Sequence, residues 1–178
     1  LMAVSADLVM LYLAIETASI PLYILSGFLL SDDRSTEAGF KYLLFGTLAS
    51  TVLLYGFSLI FGFSGTTNIY KLSEMLAAGQ LPLYVSFGLI GLLVVGLGFK
   101  IAAVPVHFWA PDVYQGAPTP VAGFLSTASK AAGFAVIIRL FFVALPDIAS
   151  SWTTILAVLA AVTMTAGNLL AISQTNIK

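Results

Sequence analysis

The chain has no cysteine and a single histidine in 178 residues. Disulfides, iron–sulfur clusters and thiolate metal sites are therefore excluded over this stretch, and one imidazole cannot hold a metal by itself. Charge is also scarce. Seven Lys and Arg against eight Asp and Glu make up 8% of the residues and leave a net charge of −1, whereas an average soluble domain carries about 25% charge. So balanced a composition gives nucleic acid no electrostatic footing, and no nucleic-acid partner is expected. The sequence opens on Leu1 without the short basic, apolar and small-residue pattern of a signal peptide, and it stops at Lys178 just beyond an apolar run. It reads as an interior piece of a longer protein.

What is present is apolar. Hydrophobic residues make up 60% of the chain and the mean hydropathy is +1.04, which predicts an integral, multi-pass membrane protein in contact with a lipid bilayer. A span needs about 20 apolar residues at 1.5 Å each. Five runs qualify, at 3–30, 38–63, 82–107, 120–145 and 152–173. The fold class is thus all-α, a polytopic transmembrane helix bundle. The loop at 31–37 is dense in charge and capping residues, and Glu37 is spaced to pair with Lys41 at i,i+4. The second loop sets Ile69, Leu72, Met75 and Leu76 at helical spacing between Asn68 and Gly79, which predicts a short amphipathic surface helix capped at both ends. Arg34, Lys41 and Lys178 fall on one side of the membrane, Lys71 and Arg139 on the other. That narrow majority puts the 31–37 loop on the cytoplasmic side.

Pro105, Pro111, Pro118 and Pro120 crowd the connection after the third run. Pro105 removes a backbone donor and displaces the carbonyl of Ile101, so the third span is predicted to break near residues 101–106. Freed carbonyls at membrane depth must be buried in protein or line a wet cavity. The glycines at 88, 91, 96 and 98 read as close helix packing, since no strand precedes them to make a phosphate loop.

Three ionisable residues lie within these apolar runs: Glu16, Lys100 and Lys130. An ammonium at the centre of a span costs about 2.5–3.5 kcal/mol to insert, so each needs a reason to be there. Lys130 has no acidic residue within four positions on either side, while Ser126, Thr127 and Gly133 share nearly its face. Its structural alternative is an ion pair with another helix. Lys100 lies five residues before Pro105, and its alternative is to snorkel to the interface. His107 would sit nearly under Lys100 if the helix continued, either as a proton relay or as a hydrogen-bonded structural group. Glu16, one turn before Pro21, is either coupled to a buried lysine or a neutral acid bonded to Thr17 or Ser19. Arg139 reads as an interfacial anchor, and Asp112 and Tyr114 as residues that cap and pin the broken connection.

The wording of these segments is distinctive. Gly98-Phe99-Lys100, the run from Val104 through His107-Phe108-Trp109-Ala110-Pro111-Asp112-Val113-Tyr114-Gln115-Gly116 to Val121, and Ser129-Lys130 resemble the signature of the antiporter-like membrane subunits of respiratory complex I, NADH:quinone oxidoreductase. Ile15-Glu16 before Pro21-Leu22 fits, and so does the stretch from Gly167-Asn168 to Lys178. The resemblance implies an inverted-repeat antiporter-like fold of about fourteen helices, of which this piece would be about helices five to nine. Residues 1–145 would be most of the first repeat and 152–178 the start of the second, all within one transmembrane domain.

The resemblance further implies that Glu16, Lys100 and Lys130 are the family's buried proton-translocating residues and that the 31–37 loop is cytoplasmic. The implied function is that of a proton-translocating membrane subunit of an oxidoreductase, sited in a bacterial inner membrane. The chain itself would carry no cofactor and no redox centre; FMN, iron–sulfur clusters and quinone would belong to partner subunits. Partners would be other membrane subunits of the complex, including neighbouring antiporter-like subunits. Two alternatives stand beside this: a subunit of a multisubunit cation/proton antiporter, and a passive membrane scaffold whose lysines are structural.

Overall fold

In the computed structural model, which describes residues 1–78 and 82–176, five helices are long and apolar enough to cross a membrane. The helices are α1 (Leu8–Ser26), α2 (Asp33–Ser64), α3 (Ile69–Ala78), α4 (Leu83–Ile101), α5 (Trp109–Gly116), α6 (Thr119–Ala144) and α7 (Ala149–Ile172). All but α3 and α5 are spans. Gly79 and Lys178, which entered the predicted cap and the charge count, lie outside the described residues.

Helix α1 begins later than the apolar run suggests because Asp7 caps it, accepting from the N–H groups of Val9 and Met10. The Thr67 hydroxyl donates to the second Asp7 oxygen. That bond, with the helix N–H groups, holds the Asp7 carboxyl below the usual carboxylate range. Helix α2 begins earlier than expected. The Asp32 carboxylate accepts from Arg34 N–H at 3.0 Å, so most of the charged 31–37 segment is the first turn and a half of a helix rather than a loop. At 32 residues, α2 overshoots the apolar core of a bilayer. The amphipathic α3 buries Ile69, Leu72 and Leu76, and Asn68 Oδ1 caps its first turn at Tyr70 N–H.

The third span breaks where the sequence predicts, and the manner of the break is specific. Helix α4 ends at Ile101 and closes on Ala102 in the left-handed conformation, φ 58°, which costs a non-glycine residue about 1–2 kcal/mol. Val104 precedes a proline and is pushed out of helical backbone, so the chain leaves the helix before Pro105 rather than at it. The exposed carbonyls are satisfied within the protein. Gly98 O accepts from Ala103 N–H at 2.8 Å, and Phe99 O accepts from Ala102 N–H and from the Trp109 indole, both at 3.1 Å. Across the break, Val104 N–H donates to the Thr163 hydroxyl of α7 at 3.1 Å.

Helix α6 contains two π-type turns, Leu125–Ser129 and Arg139–Ala144. The first delivers Lys130 and the second begins at Arg139. Such turns recur at functional sites.

Helix α2 packs against α1, α4 and α5. Gly96 lets α4 close onto it, since a Cβ there would come within 2.6 Å of Leu53 Cβ. Gly98 faces Val106 in the break, but Gly88 and Gly91 meet nothing within 4 Å, so the packing role expected of those two does not hold within this chain. A stack of Tyr23, Tyr42, Phe99 and Trp109 fills the bundle beside the break. Tyr42 lies flat on Trp109 at 4.6 Å and edge-on to Tyr23 at 4.7 Å. Beyond Trp152 no residue of α7 is buried.

Candidate functional site

Lys100 occupies the last turn of α4, and its side chain is 7% exposed. It does not snorkel. Its Nζ donates to Ser19 Oγ on α1 at 2.7 Å, and Ser19 in turn donates to Ile15 O at 2.6 Å. One turn from Ser19, the Glu16 carboxylate accepts from Ser50 Oγ of α2 at 2.5 Å, and Ser50 also lies 3.0 Å from the Tyr12 hydroxyl. Glu16 is therefore not the Thr17- or Ser19-bonded acid of the structural alternative; the Thr17 hydroxyl is spent on Leu13 O.

Glu16, Ser19, Tyr23, Ser50, Lys100 and Gly133 line one small cavity of about 20 Å³. A single water needs roughly 10–15 Å³ and two to four polar partners, so this space fits one. Among the described residues, neither Glu16 nor Lys100 makes an ion pair within 4.0 Å. The arrangement is thus a carboxylate and an ammonium on different helices, each held by a serine, around a space the size of one water. A proton passing between them would cross that space.

Gly133 is what lets α6 reach this point. A Cβ there would lie 2.8 Å from Ile101 Cγ2 and 3.3 Å from Lys100 Cγ. Overpacking at such contacts costs about 1–3 kcal/mol, and here the shift would fall first on Ile101 and then on the neighbouring Lys100. If Lys100 carries protons, as the family resemblance implies, Gly133→Val should lower proton pumping severalfold in vesicles whose complex is assembled on a native gel. Gly62→Ala, whose Cβ would enter open space, serves as the control. Normal pumping by the valine variant would remove Lys100 placement from the account.

Lys130, one turn before Gly133, faces a second and larger space. A cavity of about 470 Å³ is lined by Ala102, His107, Tyr114, Gln115, Lys130 and residues of the end of α7. The Lys130 Nζ stands 5.4 Å from the centre of the Tyr114 ring. His107 Nδ1 and the Tyr114 hydroxyl are buried without a hydrogen-bond partner, in a region roomy enough for several waters. The structural alternative for Lys130, an ion pair, is not formed among the described residues. The Ser126 and Thr127 hydroxyls turn away from it to Gly123 O, at 2.9 and 2.8 Å. The four residues singled out by sequence thus fall into two groups separated by the break: Glu16 with Lys100, and His107 with Lys130.

Other charges are structural. Lys41 bridges Glu37 at 2.6 Å and Asp112 at 2.5 Å, which pins α5 to α2, as expected of Asp112. Arg139 donates to Ser5 O at 2.9 Å and to the Tyr70 hydroxyl at 3.0 Å, tying α6 to the N-terminal segment and α3. Sequence reasoning named Ser19 only as a partner for Glu16, and missed it as the partner of Lys100 and Ser50 as that of Glu16. Their one signal was a hydroxyl within an apolar run.

A family model described as NADH:quinone oxidoreductase/Mrp antiporter, TM, matches residues 5–178. The NADH-quinone oxidoreductase subunit N of Moorella thermoacetica is 50% identical over 177 residues, 99% of this chain and 37% of that protein. A chain of respiratory complex I from Thermus thermophilus, solved with bound aureothin, superposes with a TM-score of 0.79 at 42% identity, over 98% of this chain and 36% of that one. A chain of the Mrp complex from Dietzia sp. superposes with a TM-score of 0.78 at 27% identity, over 95% and 31%. The chain spans about a third of the length of these relatives.

Proposed function

The chain belongs to the NADH:quinone oxidoreductase/Mrp antiporter membrane family, and from that premise we propose that it is part of a proton-translocating subunit that couples quinone reduction to proton movement across a bacterial inner membrane. Among its relatives the resemblance is to subunit N, or subunit 2. The observation that supports the reading is the buried Lys100, which donates to Ser19 and shares a cavity of one-water size with Glu16 without forming an ion pair among the described residues. Lys41, by contrast, is held directly by two carboxylates.

In this reading Glu16 and Lys100 exchange a proton through the cavity between α1 and α4. His107 and Lys130 carry it in the larger space beyond the break. In this reading the unwound stretch 102–108 brings carbonyl groups and His107 to membrane depth, where they must be buried in protein or line a wet cavity. The half of the path in the second repeat, whose first helix would be α7, lies outside this chain. FMN, iron–sulfur clusters and quinone are assigned to partner subunits, and other antiporter-like membrane subunits are the expected neighbours.

The second reading, a subunit of a multisubunit cation/proton antiporter, draws on the similarity to the Mrp complex. The higher identity to the complex I relatives favours the first. Affinity purification of the full-length chain from its native membrane decides between them. Co-purifying redox subunits with bound flavin and iron–sulfur absorbance are expected. Recovery with small membrane subunits alone would mean the antiporter.

A further inference from the structure

We propose that Tyr114 is a positioning residue for Lys130, holding its ammonium over the face of the phenol ring beside the break. The inference rests on the reading of Lys130 as a proton carrier. Lys130 Nζ is 5.4 Å from the ring centre, within the range at which an ammonium is attracted to the negative face of an aromatic ring. Among the described residues no carboxylate lines the cavity they share, so the ring face takes the place of a counter-ion. An aromatic ring suits a carrier that must also give up its proton, because it attracts the charged form without the strong hold of a carboxylate.

The ring is itself fixed. Tyr114 meets Trp109 edge to face at 6.0 Å, and Trp109 is 2% exposed. Trp109 stacks on Tyr42, packs on Phe99 at 5.1 Å and donates its indole N–H to Phe99 O. Phe99 is the residue before Lys100. The aromatic stack therefore ties the surface under Lys130 to the end of the helix that bears Lys100, across the break. Movement of that helix end would be felt at the ring under Lys130.

The test uses the full-length subunit in its assembled complex, with redox-driven proton pumping normalised to assembled complex. Tyr114→Leu should lower pumping about fivefold, and Tyr114→Phe should restore most of it, since the ring is what acts. Replacing Tyr114 by phenylalanine with one, two and three ring fluorines keeps the shape and drains the ring face of negative charge. Pumping should fall stepwise with each fluorine, an effect that a purely structural ring would not show. Equal losses in the Phe and Leu variants, or no dependence on fluorine, would overturn the proposal. Lys130→Ala is run in parallel. If it loses pumping while the fluorine series is flat, only the Tyr114 role fails; if it pumps normally, the carrier reading and the Tyr114 role fall together.

Discussion

Lys130→Ala should abolish most redox-coupled proton pumping, by about a hundredfold at the low end of what a lost proton-transfer group costs, while the complex still assembles. The two halves of that expectation have separate physical causes. Assembly survives because the change removes an ammonium that costs about 2.5–3.5 kcal/mol to insert. It also orphans no counter-ion, since Lys130 makes no ion pair among the described residues. In the proposed reading, pumping fails because the cavity that Lys130 shares with His107 and Tyr114 loses its ammonium. Lys130→Arg should be a poor substitute, because a guanidinium does not readily give up its proton. Vesicle acidification read by a quenched dye, beside a native gel, measures both halves.

Glu16→Gln and Lys100→Ala should each impair pumping, and the double variant should cost less than the sum of the two. Glu16 and Lys100 line one cavity that fits a single water, so in the proposed reading each single change disables the same shared step. Removing Lys100 leaves Glu16 facing the cavity without the charge opposite, and removing Glu16 leaves Lys100 with Ser19 alone. Groups joined in one network commonly couple by about 1 kcal/mol or more, a factor of about five in rate. A double-mutant cycle on pumping, with assembly checked, reads the coupling directly. Strictly additive losses would mean that the two groups act independently.

Much of this arrangement is written locally in the sequence. Run lengths locate the five spans because a bilayer sets a minimum length for an apolar helix. Pro105 announces the break because its ring and missing donor act on the residues just before it. The charges within the apolar runs stand out because few residues are charged at all. What was not legible depends on how helices face one another. Ser50 reaches Glu16 across 34 positions, Ser19 reaches Lys100 across 81, and Asp112 reaches Lys41 across 71. No local pattern encodes those distances. The π-type turn before Lys130 is equally silent in sequence, since its residues, Leu125–Ser129, suit an ordinary helix as well. The helix starts were misplaced because single carboxylates decided them: Asp7 shortened α1, and Asp32 recruited the charged segment 33–37 into α2.

The most direct measurement of the central claim is the proton-to-electron ratio of the purified complex in sealed proteoliposomes, comparing the native full-length subunit with Lys130→Ala. If the buried groups of this chain carry protons, the ratio falls in the variant while assembled complex is recovered in normal yield. An assembled Lys130→Ala complex that pumps at the native ratio would contradict the account.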